Sequence, residues 1–274
     1  MDKKPKLGRG LEEVSHFYLS TAHKNDYTGE KQIEEHRHII SIHHSGSDIT
    51  QSFLLSNLAL ELAKYQVPIY IIDFCDNQRV NIRSTVKRLI KGQESSPEYS
   101  VQLYGLPAIR IVEAYNNTHE SLEDLIKALH INSKNCFIFL NKYDKEGTIA
   151  LYSQAREVII LSKTDKISLL QAYAHIKAIL EKGKESTIYM ILDEIREEGE
   201  AETIFQRFAL YVKKKFSHAV YYLGGLVHDE HIGRSIEEGR PIVLSQDQSI
   251  AKDNILSISK NFFTLSKNSS NQII

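Results

Sequence analysis

Cysteine is scarce, charge does not favour either sign, and nothing in the chain is apolar for long. Cys75 and Cys136 are the only two thiols in 274 residues. Their spacing matches no zinc or redox motif, which excludes a disulfide scaffold and leaves both as small core residues in a reducing compartment. The 34 basic and 35 acidic side chains leave a formal net charge of −1, so no global field would hold nucleic acid or acidic lipid. The dense basic patches are Lys3, Lys4 and Lys6 at the start and Lys213-Lys214-Lys215, the latter read as the solvated face of a helix. No apolar run is long enough to span a bilayer and no signal-peptide pattern is visible, so the expected location is the cytoplasm. His36, His38, His43 and His44 stand close together, but no cysteine or carboxylate follows at ligand spacing. They read as polar strand-end and loop residues, with no metal expected.

What is present is one long α/β pattern, with 42% hydrophobic residues and enough length for a single core with an arm. The stretch from His38 to Asp76 organises it. An apolar run (Ile39 to Ile42) meets a small polar turn (Ser45 to Thr50), then an amphipathic segment containing Phe53, Leu54, Leu55 and Leu58. A second apolar run (Ile69 to Ile72) ends on Asp73. Strand, loop, helix and strand in this order is the arrangement in which a loop and a helix N-terminus can cradle phosphate. Further on, SLEDLIKALH reads as a helix capped by Ser121, and Thr164, Asp165 and Ser168 open another. Pro241 stops a helix over Ile232 to Glu238. The last helix carries Ile250, Ile255, Ile258, Phe262 and Leu265 on one stripe, expected to pack on the sheet. The expected organisation is an arm over residues 1–35, a domain over 36–265 and a flexible tail over 266–274.

The loop stretch resembles the opening of MinD/ParA-type ATPases, whose phosphate loop reads G-K-G-G-V-G-K-[ST] and whose next strand ends in Asp. Ser45, Gly46, Ser47, Asp48, Ile49, Thr50, Gln51 and Ser52 occupy its eight positions, and only the last is kept. Both lysines are gone, at Gly46 and Gln51, and Asp48 adds a negative charge. NCFIFLNKYD resembles the strand that ends in the family's magnesium-ordering Asp, with Asn141 in its place. Asp193 stands where the resemblance implies an adenine-contacting Asn. The segment STIYMILDEIREEGEAETIFQRFALYVKKKF resembles the strand and helix of the branch that counts and places flagella (FlhG, also called FleN), and YLGGLVHDEHIGRSIEEGRP keeps the family's residue order with Leu223, Gly224, Asp229, Ile232, Ser235, Gly239 and Pro241.

The resemblance implies a mostly parallel central sheet with helices on both faces, of the P-loop NTPase type. It also implies a site that has lost its charges, hence no ATP or magnesium as cofactor and no catalytic residue. The expected function is regulation or scaffolding by protein contacts in the spatial organisation of a bacterial assembly. Two alternatives stay open: a residual ATP-binding switch, and a GTP-reading module using Asn141-Lys142-Tyr143-Asp144, which matches the NKxD string. The expected partners are proteins, with an active paralogous ATPase or GTPase as one candidate. No specific nucleic acid and at most weak membrane contact are expected, and any homodimer should not depend on nucleotide. In the arm, Leu11, Val14, Phe17 and Tyr18 share one side of a short helical pattern after Arg9. That is either a helix packed at the domain's edge or a docking arm. LGRGL resembles the N-terminal motif of ParB-type partners, which stimulate ParA-type ATPases.

Overall fold

The computed structural model describes residues 37–44, 48–75, 81–90, 96–103, 105–114, 121–141, 154–181 and 186–271. The chain divides into two units, Met1–Glu34 and Glu35–Ile274, and every described residue lies in the second. The arm residues Arg9, Leu11, Val14, Phe17 and Tyr18 therefore lie outside the described residues, as do His36, Ser45 to Ser47 and Lys142 to Asp144. For Asp48 and Ile49 only the helical backbone is described.

The elements follow in the order β1 (Arg37–His44), α1 (Asp48–Ala63), β2 (Ile69–Asp73), α2 (Ile82–Val86), β3 (Glu98–Val101) and β4 (Ile109–Glu113). Then come α3 (Leu122–Ala128), β5 (Cys136–Asn141), β6 (Glu157–Lys163), α4 (Lys166–Glu181) and β7 (Thr187–Ile195). The chain closes with α5 (Glu198–Phe216), β8 (Val220–Val227), α6 (Glu230–Glu238) and α7 (Ile250–Asn271). The strands form one sheet in the order β3-β4-β2-β5-β1-β6-β7-β8. Every pairing is parallel except β3 with β4. Parallel strands covered on both faces need continuous apolar runs, and β2, β5 and most of β6 are buried along their whole length.

Strand parity sorts the core into layers. Ile40, Ile42, Ile71, Phe139, Leu161 and Ile191 face the layer that contains α1 and α7. Ile72, Ile138 and Leu140 face α3, and Val158, Ile160 and Met190 face α4 and α5. Gln51 to Ala63 are buried throughout, because α1 is enclosed between the sheet and α7, and so it is apolar nearly all round. Asn57 ties α1 to the far end of the chain by accepting from the Val243 amide at 3.1 Å.

The caps follow local chemistry. The Ser121 hydroxyl receives the Asp124 amide, and one Asp165 carboxylate oxygen receives the amides of Ile167 and Ser168. Helix α6 ends on Gly239 at φ 61°, where a Cβ would come within 2.7 Å of the Ser84 carbonyl oxygen. A glycine is required there both for the left-handed turn and for the close approach of α2. Pro241 follows two residues after this cap.

Several expectations need correction. Helix α6 begins at Glu230, capped by Asp229, because that carboxylate takes up an orphan amide two residues earlier than the apolar pattern suggests. In α7, Ile255, Ile258 and Phe262 are fully buried, but Ile250 is 61% exposed; as the first residue of the helix it precedes the turn that meets the sheet. The helix continues past residue 265 to Asn271, with Ser266 buried. His38, His43 and His44 belong to β1, none to a loop. His38 Nδ1 lies 2.9 Å from Glu157 Oε2, and Tyr189 donates to Glu157 Oε1 at 3.1 Å. Those partners are what allow a carboxylate to be buried at that end of the sheet. Cys75 and Cys136 are both buried, and burial pushes the Cys136 thiol up to about 11. Among the described residues no helix is long and apolar enough to cross a membrane.

Candidate functional site

The crossover β1–α1–β2 places the N-terminus of α1 at the carboxyl ends of the strands, where open α/β sheets hold their ligands. Register brings the key side chains together there. Asp73 is the last residue of β2 and stands directly opposite Asn141, the last of β5. Parity turns both toward the α1 layer, where Gln51 and Ser52 occupy the first turns of the helix. All four are buried.

They form one closed network. Gln51 Nε2 donates to Asn141 Oδ1 at 2.8 Å and, more weakly, to the Ile42 carbonyl at 3.4 Å. Asn141 Nδ2 donates to Asp73 Oδ1 at 2.9 Å and to Ser52 Oγ at 3.2 Å. Asp73 also receives the Cys75 amide on Oδ1 at 3.1 Å and the Ile82 amide on Oδ2 at 2.7 Å. Chemistry fixes the orientation. An ionised carboxylate only accepts, so Asn141 must turn its NH₂ to Asp73, and its oxygen then has to take a proton from Gln51. Both protons of each amide are spent.

Burial pushes the Asp73 carboxyl up to about 6, and Glu113 adds to this, while the donors from Ile82, Cys75 and Asn141 restrain it. The Ile82 bond also fixes α2, whose Arg83 pairs with Glu113 at 2.7 Å and lies over the Tyr99 ring at 4.1 Å. Asp193 is not part of the network. It ends the same parity series on β7, receives the Glu194 amide on Oδ1 at 2.8 Å, and places Oδ2 3.9 Å from His44 Nε2. Of the expected site residues, the structure thus unites Gln51, Ser52, Asp73 and Asn141 and sets Asp193 apart. Thr50 lies at the start of α1, half-buried, without a side-chain bond into this network among the described residues.

Sequence reasoning missed the amides of Cys75 and Ile82, because backbone donors carry no residue signature. It also missed a cleft of about 320 Å³ beside the ends of β6 and β7, lined by Lys163, Asp165, Glu194, Arg196, Glu197 and Glu200 among others. Lys163 pairs with Glu194 across it at 2.6 Å. Among the described residues no group of three or more His, Cys, Asp or Glu side chains could hold a metal ion.

No protein-family model matches the sequence, and no curated protein does either. Solved structures do match. MinD from Pyrococcus horikoshii complexed with Mg-ADP superposes with a TM-score of 0.60 at 14% identity, covering 84% of this chain and 98% of that one. The MinC:MinD complex of Aquifex aeolicus gives 0.59 at 14% identity, with 82% and 95% covered. A ParA family ATPase from Chlorobium tepidum gives 0.55 at 15% identity, with 82% and 98% covered. At such identities the likeness speaks for architecture, and this chain has the fold of the MinD/ParA P-loop ATPases.

Proposed function

We propose that this chain is a pseudo-ATPase of that fold, a regulatory or scaffolding protein in the spatial organisation of a bacterial assembly, flagellar placement or a related polar or envelope system. The observation that carries the reading is the 2.8 Å bond between Gln51 and Asn141. A phosphate loop needs a cation at the first position and a magnesium-ordering carboxylate at the second. Here two neutral amides occupy both and satisfy each other.

The residues do not fit a magnesium triphosphate. Both Asp73 oxygens are taken by protein donors, and the Ser52 hydroxyl accepts from Asn141. Magnesium demands near-octahedral oxygen ligands, and opening this network to supply them would strand buried polar groups. The sequence also puts an acid, Asp48, in the stretch that would have to meet the phosphates, and like charges repel. At about 5 Å and an effective dielectric near 20, one charge pair is unfavourable by roughly 3 kcal/mol, more than a helix dipole offsets. A guanine-reading role for Asn141 meets the same obstacle, since its amide would have to release Asp73 or Gln51.

With hydrolysis absent, function rests on protein contacts. MinD of Aquifex aeolicus forms a complex with MinC, and the LGRGL string of the arm favours an active ATPase of the same fold as partner, with Arg9 as the charged contact. Calorimetry with MgATP and MgGTP tests the core of the reading: no binding heat is expected at high micromolar ligand. Tight binding of either nucleotide by the unmodified chain would overturn it. Rebuilding the loop with Asp48→Gly, Thr50→Gly and Gln51→Lys, together with Asn141→Asp, should restore measurable affinity for MgATP.

A further inference from the structure

The two outer strands of the sheet are guarded differently. Among the described residues no strand lies beyond β3 on one side or β8 on the other. An unpaired edge is a template for another strand, and folded proteins blunt it with short length, charge or proline. β3 has two of these: it is four residues long and carries Glu98, which pairs with Arg110. β8 has none, being eight residues of VYYLGGLV. Its pairing with β7 shows which backbone groups stay open. The His228 amide donates to the Ile195 carbonyl at 3.3 Å, so alternation along the strand turns the Val227 amide away from β7. Further back, Leu223 falls out of register between Tyr222, opposite Met190, and Gly224, opposite Ile191. That is a bulge, which leaves one backbone unit outside the ladder.

Helix α7 takes up both groups. The Val227 amide donates to Asn254 Oδ1 at 3.1 Å, and Asn261 Nδ2 donates to the Leu223 carbonyl at 2.9 Å. The two asparagines are seven residues apart, which is two turns on one side of the helix. Between them Ile258 comes to 3.1 Å from where a Cβ on Gly224 would stand, and Gly224 itself sits at φ 137°. We infer that α7 is a strap that closes the outer edge of β8 against strand addition, with Asn254 and Asn261 as its two catches. Each catch presents the atom its group needs, an amide oxygen to a donor and an amide nitrogen to an acceptor. Those are the bonds that a ninth strand would make. Packing alone does not call for asparagine here, because Ile255, Ile258 and Phe262 already bury the inner face of α7. The strand that the strap excludes is the β8 of another copy, which is equally extended and equally uncharged.

The strap does not involve Gln51, Asp73 or Asn141, so it stands or falls independently of the reading of that site. The test is the full chain carrying Asn254→Leu and Asn261→Leu, which keep the bulk and remove both catches. Each protein is held at one fixed interval below its own thermal midpoint, so that lost stability is matched. There the double variant should form thioflavin T-positive, intermolecular β-sheet at least about tenfold faster than wild type. Ile258→Ala loosens the same helix but leaves both asparagines, and should stay near the wild-type rate. Adding Tyr221→Lys to the double variant should return it to that rate. Tyr221 is an exposed residue of β8, and a charge there blunts the edge without any bond to α7. If the double variant does not fold, Asn254→Leu alone carries the same comparison through the Val227 amide. A variant that is no faster than Ile258→Ala overturns the proposal, because loosening of the helix then accounts for the effect. An acceleration that Tyr221→Lys leaves in place overturns it as well.

Discussion

Two aspartates, each held by amide and side-chain donors, occupy opposite electrostatic extremes. Asp73, under α1, receives two backbone amides and the Asn141 amide, yet its carboxyl is raised to about 6. Asp229, at the junction of α6 and α7, receives the amides of His231 and Ala251, the Ser249 hydroxyl and the His231 ring. Burial pushes its carboxyl up as well, but bonds from Ser249, His231 and Ala251 outweigh that and hold it well below the usual range. The donor sets are alike; access to water is not. Hydrogen bonds stabilise a carboxylate strongly where solvent shares the charge, and only partly offset the cost where no water reaches it. The first region therefore tolerates one buried acid and no further charge, and the second region is a charged clamp joining two helices.

The largest effect that would break this contrast comes from placing a second acid in the sealed region. Asn141→Asp brings a carboxylate to the 2.9 Å contact with Asp73 and should cost about 4 kcal/mol near neutral pH, read by urea unfolding. Gln51→Lys in the same chain should recover at least about 1.5 kcal/mol of that, because a cation then stands beside the two acids. Additive losses in that double-mutant cycle would show that the network is not a unit.

Next in size is a pH effect with a definite sign. Asp73 binds its proton more tightly folded (about 6) than unfolded (3.8). Its contribution is therefore most favourable below the unfolded value, and stability is lost as pH rises through about 6. About two pH units at 1.4 kcal/mol each bound the effect at about 3 kcal/mol. Wild type should gain stability between pH 7.5 and 5 relative to Asp73→Asn, and parallel profiles of the two proteins would refute the raised value.

The smallest effect belongs to Asp229. Asp229→Ala removes the N-cap of α6 and the bond to the first turn of α7, and should lower stability by about 2 kcal/mol at pH 7. Its depressed carboxyl reverses the sign: the contribution is present above the unfolded value and is lost as pH falls through the folded one. The penalty of Asp229→Ala should thus be flat from pH 7.5 to 5, where the Asp73 profile is steep. A penalty that shrinks over that interval would mean the two regions do not differ as described.

Local pattern was enough for much of the architecture. The apolar runs of β1, β2 and β5, the caps at Ser121 and Asp165, and the Gly239–Pro241 stop are short-range features, and each appears where its residues place it. Gln51 near the start of a helix and Asn141 at a strand end were also legible one position at a time. Tertiary structure alone decided that these two amides satisfy each other. Gln51 and Asn141 are 90 residues apart in the chain, Asn141 and Asp73 are 68, and only β2–β5 register and strand parity bring them into contact. Pairing with β5 and β6 likewise placed His38 and His43 within the sheet, and strand order, with β1 and β6 between β5 and β7, separated Asp193 from the network. Which face of α5 is buried, with Ala201, Phe205 and Val212 inside and the opposite side in water, was likewise decided by packing, because burial is a property of the neighbours an element acquires and not of its own residues.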